Sequence, residues 1–103
     1  MDNEGYPLPE TLRRIENWEI NSYEDCEALL VWIQALWRWG EYFRAATRRE
    51  KTLKGGKLYR KWYVSTGGWS GHEDIITSMM NNWNFWTLAW DSSRRGGHYE
   101  FRV

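Results

Sequence analysis

Between residues 22 and 47 apolar side chains recur every three to four positions. Cys26, Leu29, Leu30, Ile33, Leu36, Trp37, Gly40 and Phe43 fall on one side of a helix, and Trp32 and Trp39 widen it. Glu27, Gln34, Arg38, Glu41 and Ala45 leave only a narrow polar stripe. This pattern predicts one long helix from about 22 to 47. Asn21 or Ser22 caps its start, with Glu24, Asp25 and Glu27 at the positive end of the dipole. Arg44, Arg48 and Arg49 then sit at the negative end. So wide an apolar face suits a central helix, or one that also meets a second subunit. Ahead of it, residues 1–8 read as a flexible arm. "PETLRRIENW" reads as a short helix opened by proline, with Leu12, Ile15 and Trp18 on one face.

The second half changes period. A turn at Gly55-Gly56 leads into a strand at about 57–66, with 50–54 either a partner strand or a loop. Gly67, Gly68 and Gly71 break that strand. A helix follows from Ser70, where Ser70 and Glu73 have the spacing of a capping box. Ile75, Ile76, Met79 and Met80 give this helix its apolar face. From 84 onward alternation predicts a β-hairpin, with strands at about 84–91 and 97–103 joined through "SSRRGG". Trp86, Leu88 and Trp90 would share one face of its first strand, and Phe85, Thr87 and Ala89 the other. The order α-α-β-α-β-β implies an α+β fold. A small antiparallel sheet of three or four strands packs on the long central helix, and residues 1–103 form a single domain.

Nine tryptophans in 103 residues alter that picture. A domain this small has trouble hiding nine indoles, so some should line a ligand site or a subunit interface, and a homo-oligomer is expected. The lone cysteine, Cys26, forms no internal disulfide and sits on an apolar helix face, which points to a core position and a reducing cytoplasm. The acidic, polar start is unlike a signal peptide, and no apolar run is long enough to span a membrane. Net charge is zero but uneven. Residues 1–27 hold eight acids against two arginines, and residues 44–61 hold eight basic residues against Glu50. Either the two regions pack together, or the basic one serves an anionic partner.

Two glycine-bearing loops carry the candidate chemistry. "STGGWSGHED" joins a strand to a helix start, where unpaired amides favour an anion. It is no Walker A sequence, since no Lys-Ser or Lys-Thr follows, and its glycines do not fit GxSxG. "SSRRGGH" offers two forked donors on a turn. Both loops follow strands of one small sheet. At a common edge they would unite Gly67, Gly68, Trp69, Ser70, Gly71 and His72 with Arg94, Arg95, Gly96, Gly97 and His98. Trp69 would stack, the arginines would meet charge, and Ser70 with the loop amides would donate hydrogen bonds. Alternatively, each is a capped helix start or a solvated hairpin tip. A third feature is the basic run around Tyr59, Trp62 and Tyr63, which suits nucleic acid only weakly because alternation sends Trp62 to the face opposite the tyrosines. His72, Asp74 and His98 are a weak metal signal. No cofactor or metal is expected, and no residue is assigned a catalytic role.

"VSTGGWSGHEDII" and "FWTLAWDSSRRGGHYEFRV" resemble small uncharacterised proteins of bacteriophages and prophages. The likeness covers about residues 58–103. It implies a phage-encoded accessory protein in the host bacterial cytoplasm, of a kind that sequesters a small signal, including signals of host defence, or binds a host protein. The leading expectation is thus a non-enzymatic protein binding an anionic small ligand, a nucleotide or nucleotide-derived signal. Two alternatives stand beside it. One is an interaction module inhibiting a host enzyme through a Trp-rich surface, and the other a small hydrolase or nuclease using Glu73, Asp74 and a histidine.

Overall fold

The computed structural model describes residues 5–50 and 56–103. Its elements are α1 (Pro9–Glu16), α2 (Tyr23–Gln34), a 3-10 turn (Gly40–Tyr42), β1 (Phe43–Arg49), β2 (Leu58–Ser65), α3 (Ser70–Asn81), α4 (Trp83–Ala89), β3 (Trp90–Arg94) and β4 (His98–Arg102). The fold is α+β, with one antiparallel four-stranded sheet in the order β1-β2-β4-β3. The expected short first helix, the strand near 57–66 and the helix from Ser70 are all present. Residues 51–55, which hold most of the expected partner strand or loop and half of the Gly55-Gly56 turn, lie outside the described residues, as do residues 1–4 of the expected arm.

Two expectations are corrected. The long helix of 22–47 ends at Gln34, and Phe43–Arg49 forms β1. Ser22 does cap the start, accepting the Asp25 amide, while the Asp25 carboxylate accepts the Asn21 amide. The chain then tightens, with the Leu36 and Trp37 amides reaching carbonyls only three residues back. Tertiary bonds take over beyond that point. Gln34 Nε2 donates to the Phe43 carbonyl at 2.9 Å, and Trp37 Nε1 to the Ser65 carbonyl at 3.1 Å. The second correction is at 84–89, which is helical and not a strand. Asn82 explains it. Its side-chain oxygen accepts the Phe85 amide, while its Nδ2 donates to the Ile15 and Trp18 carbonyls. Phe85 and Ala89 are therefore buried one helical turn apart, and Thr87 faces outward.

The helices and one sheet face enclose the core. Ile15, Cys26, Leu29, Leu30, Ile33, Ile75, Met79 and Phe85 meet Phe43, Trp62, Val64 and Phe101. Cys26 is buried as expected, and burial pushes its thiol up to about 11. Only Trp37 and Trp62 of the nine tryptophans are fully buried, while Trp83 is 75% exposed and Trp90 45%. The opposite sheet face lies open. Strand alternation and register place Arg44, Tyr63, Glu100 and Ser92 in one row across it, with Ser65, His98 and Arg94 in the next. No helix among the described residues is long and apolar enough to cross a membrane.

Candidate functional site

The two glycine-bearing loops do meet, at Thr66. The Thr66 amide donates to the Gly97 carbonyl at 2.9 Å. A Cβ on Gly97 would sit 2.1 Å from Thr66 Oγ1, and Gly97 has a φ of 77°, so only glycine fits there. Thr66 Oγ1 also accepts the Gly68 amide, and its carbonyl faces the Trp69 amide and the His72 ring. Alternation and composition gave no hint of this buried threonine.

The side chains then diverge from the expected single pocket. Trp69 turns toward Tyr6, Trp39 and His72, at ring-centroid distances of 5.0, 6.2 and 4.5 Å, with the Arg38 guanidinium 5.1 Å away. Its indole lies over Gly71, where an added Cβ would come within 2.5 Å of the ring. Trp39 lies over Gly67 in the same way, at 2.7 Å. Close-packed indoles thus account for these two glycines. Ser70 is not the cap but the first helical residue, and its hydroxyl donates to Tyr6. Trp69 occupies the capping position without a side-chain bond.

His72 is fully buried and both ring nitrogens are committed. Nε2 accepts the Arg38 amide at 2.9 Å, which makes Nδ1 the donor to the Thr66 carbonyl at 3.0 Å. The ring stacks on Trp37 at 4.0 Å. Burial holds its pKa below the ordinary value, partly offset by the bond to Thr66. This histidine is a neutral clip between the segment after α2 and the start of α3. It has no free nitrogen for the expected ligand or for acid–base work.

Arg94 and His98 go to the open sheet face. With Arg44, Tyr42, Tyr63, Ser65, Glu41 and Glu100 they line a cleft of about 270 Å³, at the small end of ligand sites. Arg44 stands 4.9 Å from the Tyr63 ring centre. Neither Arg44 nor Arg94 makes a salt bridge among the described residues. Glu100 is engaged. The Ser92 hydroxyl donates to it at 2.8 Å and Lys61 Nζ lies 3.3 Å away, and these two, with the Arg94 charge nearby, hold its carboxyl below the usual range. Lys61 also reaches Asp91, displaced onto this face by the bulge at Trp90–Ser92, and that hydrogen bond raises the lysine pKa. Arg95 and Gly96 form the exposed tip beyond the cleft, and Gly97 packs back on Thr66. The sequence offers Tyr63 only as part of the basic run weighed for nucleic acid, and it does not single out Arg44 or Tyr42 for the cleft, because the helical pattern through residue 47 places both on a helix.

Ser65 Oγ and His98 Nδ1 are 2.7 Å apart, a hydroxyl–imidazole pair inside the cleft. Catalytic triads orient such a histidine with a carboxylate on its other nitrogen. Here no described side chain bonds His98 Nε2. Glu73 and Asp74 lie exposed on α3 beside the spent His72. No group of three metal-ligating side chains occurs among the described residues.

The charge asymmetry is also resolved locally. Of the acids in residues 1–27, only Glu27 bridges to the basic region, through Arg60 at 3.3 Å among the described residues. The sequence matches no protein-family model, and neither curated proteins nor solved structures give a match.

Proposed function

We propose that this protein binds an anionic, nucleotide-type ligand on its open sheet face, and that it acts without catalysing a reaction. The observation that carries this reading is the cleft itself. Two guanidiniums that make no salt bridge among the described residues, Arg44 and Arg94, flank a tyrosine and a histidine in one small concavity. Arginine forks suit phosphate oxygens, and a tyrosine face suits a base. Glu41 and Glu100 supply acceptors for ring N–H or sugar hydroxyl donors. The binding role is the one implied for phage accessory proteins by the C-terminal half, with sequestration of a nucleotide-derived signal as its outcome.

The test is a nucleotide panel read by melting temperature and calorimetry. A binding nucleotide raises the melting temperature. Arg44→Ala and Arg94→Ala each abolish the shift, whereas Arg95→Ala at the exposed tip keeps it. No shift with any nucleotide, or equal loss on changing Arg95, contradicts the reading.

A second reading rests on Trp83. Shallow clefts of about 360 and 400 Å³ flank this exposed indole, lined by Trp18, Ile20, Asn21, Asn84 and Leu88 among others. Exposed aromatic anchors of this kind mark protein contacts. Trp32 and Trp39, expected for that role, are instead half-buried in ring contacts. Self-association or host-protein capture that Trp83→Ala removes would favour this reading. Light scattering showing a monomer at micromolar concentration, with Trp83→Ala unchanged, would exclude self-association.

A further inference from the structure

The cleft occupies one end of the open face, and the rest of that face repeats its chemistry. Tyr59 sits four residues before Tyr63 on β2 and points the same way, so the two rings lie about 13 Å apart along the strand. Each is covered by guanidinium. Arg44 and Arg48 stand 4.9 and 5.8 Å from the Tyr63 ring, and Arg102 stands 3.9 Å from the Tyr59 ring. Arg48 also donates to the Tyr63 hydroxyl at 3.0 Å. Lys57, two residues before Tyr59 on the same side, extends the basic edge past it, whereas Arg49 pairs with Leu58 on the opposite face and donates to the Gly56 carbonyl. Arg102 also pairs with Glu50, which holds it over Tyr59, and a mononucleotide in the cleft would leave that second ring unused.

We infer that the face binds single-stranded nucleic acid along β2, with one nucleotide in the cleft and a second base stacked at Tyr59. This rests on the nucleotide reading above and names its ligand class. The physics is that of a stacking platform with cations alongside. Weakly hydrated guanidiniums cover the rings in the free protein, and a base displaces them toward its own phosphates. β2 is about 26 Å long, and a site of about four nucleotides matches the lower end for sheet-based single-strand binders. An acidic peptide fits less well. It would use the cations but not the ring faces, and would meet Glu41 and Glu100 in the cleft.

The test is competition against a fluorescein-labelled oligothymidylate octamer, read by anisotropy at low salt. The competitors are thymidine monophosphate, the di- and tetranucleotides, a uridylate tetranucleotide, a heparin fragment and a duplex octamer. Affinity should rise at least tenfold from one to about four nucleotides and then level off. Tyr59→Ala should weaken the tetranucleotide on the order of tenfold and leave the mononucleotide unchanged, while Tyr59→Phe retains both. The uridylate arm tells whether the strand bound is RNA as well as DNA, and binding of either supports the inference. A flat length series alongside mononucleotide binding overturns this inference and leaves the nucleotide reading standing. Equal binding of duplex or heparin overturns it too, because neither offers free bases. Failure of every competitor and of the labelled strand itself removes both.

Discussion

His72 shows how one residue type carries opposite meanings. Beside glycines at a helix start it suggested a ligand contact, yet both its nitrogens are used inside the fold. The consequence is a pH dependence of stability. The unfolded chain binds a proton on this ring near the ordinary value of 6.5, and the folded chain does so only at lower pH. The unfolded state therefore holds more protons across that window. Its stabilising contribution is complete above about 6.5 and is lost as pH falls through the lowered folded value. Urea midpoints measured from pH 7.5 to 4.5 should fall on the acid side, and His72→Leu should flatten that part of the profile. The same variant should cost roughly 1–3 kcal/mol at pH 7.5 by orphaning the Arg38 amide and the Thr66 carbonyl. Glycines give a second residue-scale contrast. Gly68→Ala meets open space and only a positive φ, so it should cost on the order of 1 kcal/mol. Gly97→Ala adds collision with Thr66 and should cost clearly more, as compared by denaturation midpoints. Sequence marked both as loop glycines. Which glycine serves conformation and which a close neighbour depends on Trp39, Trp69 and Thr66, residues that only the folded chain brings there.

At the scale of elements, local preference was informative where nothing opposed it. Ser22 and the acids after it, Pro9, and the apolar face of Ile75, Ile76 and Met79 all act as their residue types dictate. Two elements followed distant partners instead. "FRAATRR" has good helix formers, yet it pairs with β2 along its whole length from Phe43↔Val64 to Arg49↔Leu58. "WNFWTLA" is rich in aromatic residues typical of strands, yet Asn82 caps it as a helix and ties it to the end of α1. The phase of α4 can be tested directly. Phe85→Ala should cost about 3–5 kcal/mol, while Thr87→Asp should change stability by less than about 0.5 kcal/mol, both from urea unfolding. A strand with Phe85 and Thr87 on one buried face would make both changes costly. A helix through residue 47 would put Arg44 at a helix end, away from the sheet. Once β1 is a strand, its register sets Arg44 opposite Tyr63.

For the whole molecule, the two faces of the sheet divide the labour. One is sealed by four helices and holds the core, and the other carries cations and tyrosines toward solvent. Strand alternation made that division legible for β2, where Tyr59, Lys61 and Tyr63 share a side. It did not show that β4 and β1 would supply His98, Glu100, Arg102, Arg44 and Arg48 to the same side. Binding there should be salt-dependent, weakening steadily as ionic strength rises, while the melting temperature of the free protein changes little. The most direct measurement is a map of backbone amide chemical shifts as a thymidine nucleotide is titrated into labelled protein. Binding on the open face predicts shifts concentrated at Arg44, Tyr63, Ser65, Arg94, His98 and Glu100, with Ser70, Gly71 and Trp83 unmoved. Shifts centred on the start of α3 or on Trp83, or none at saturating nucleotide, would contradict it.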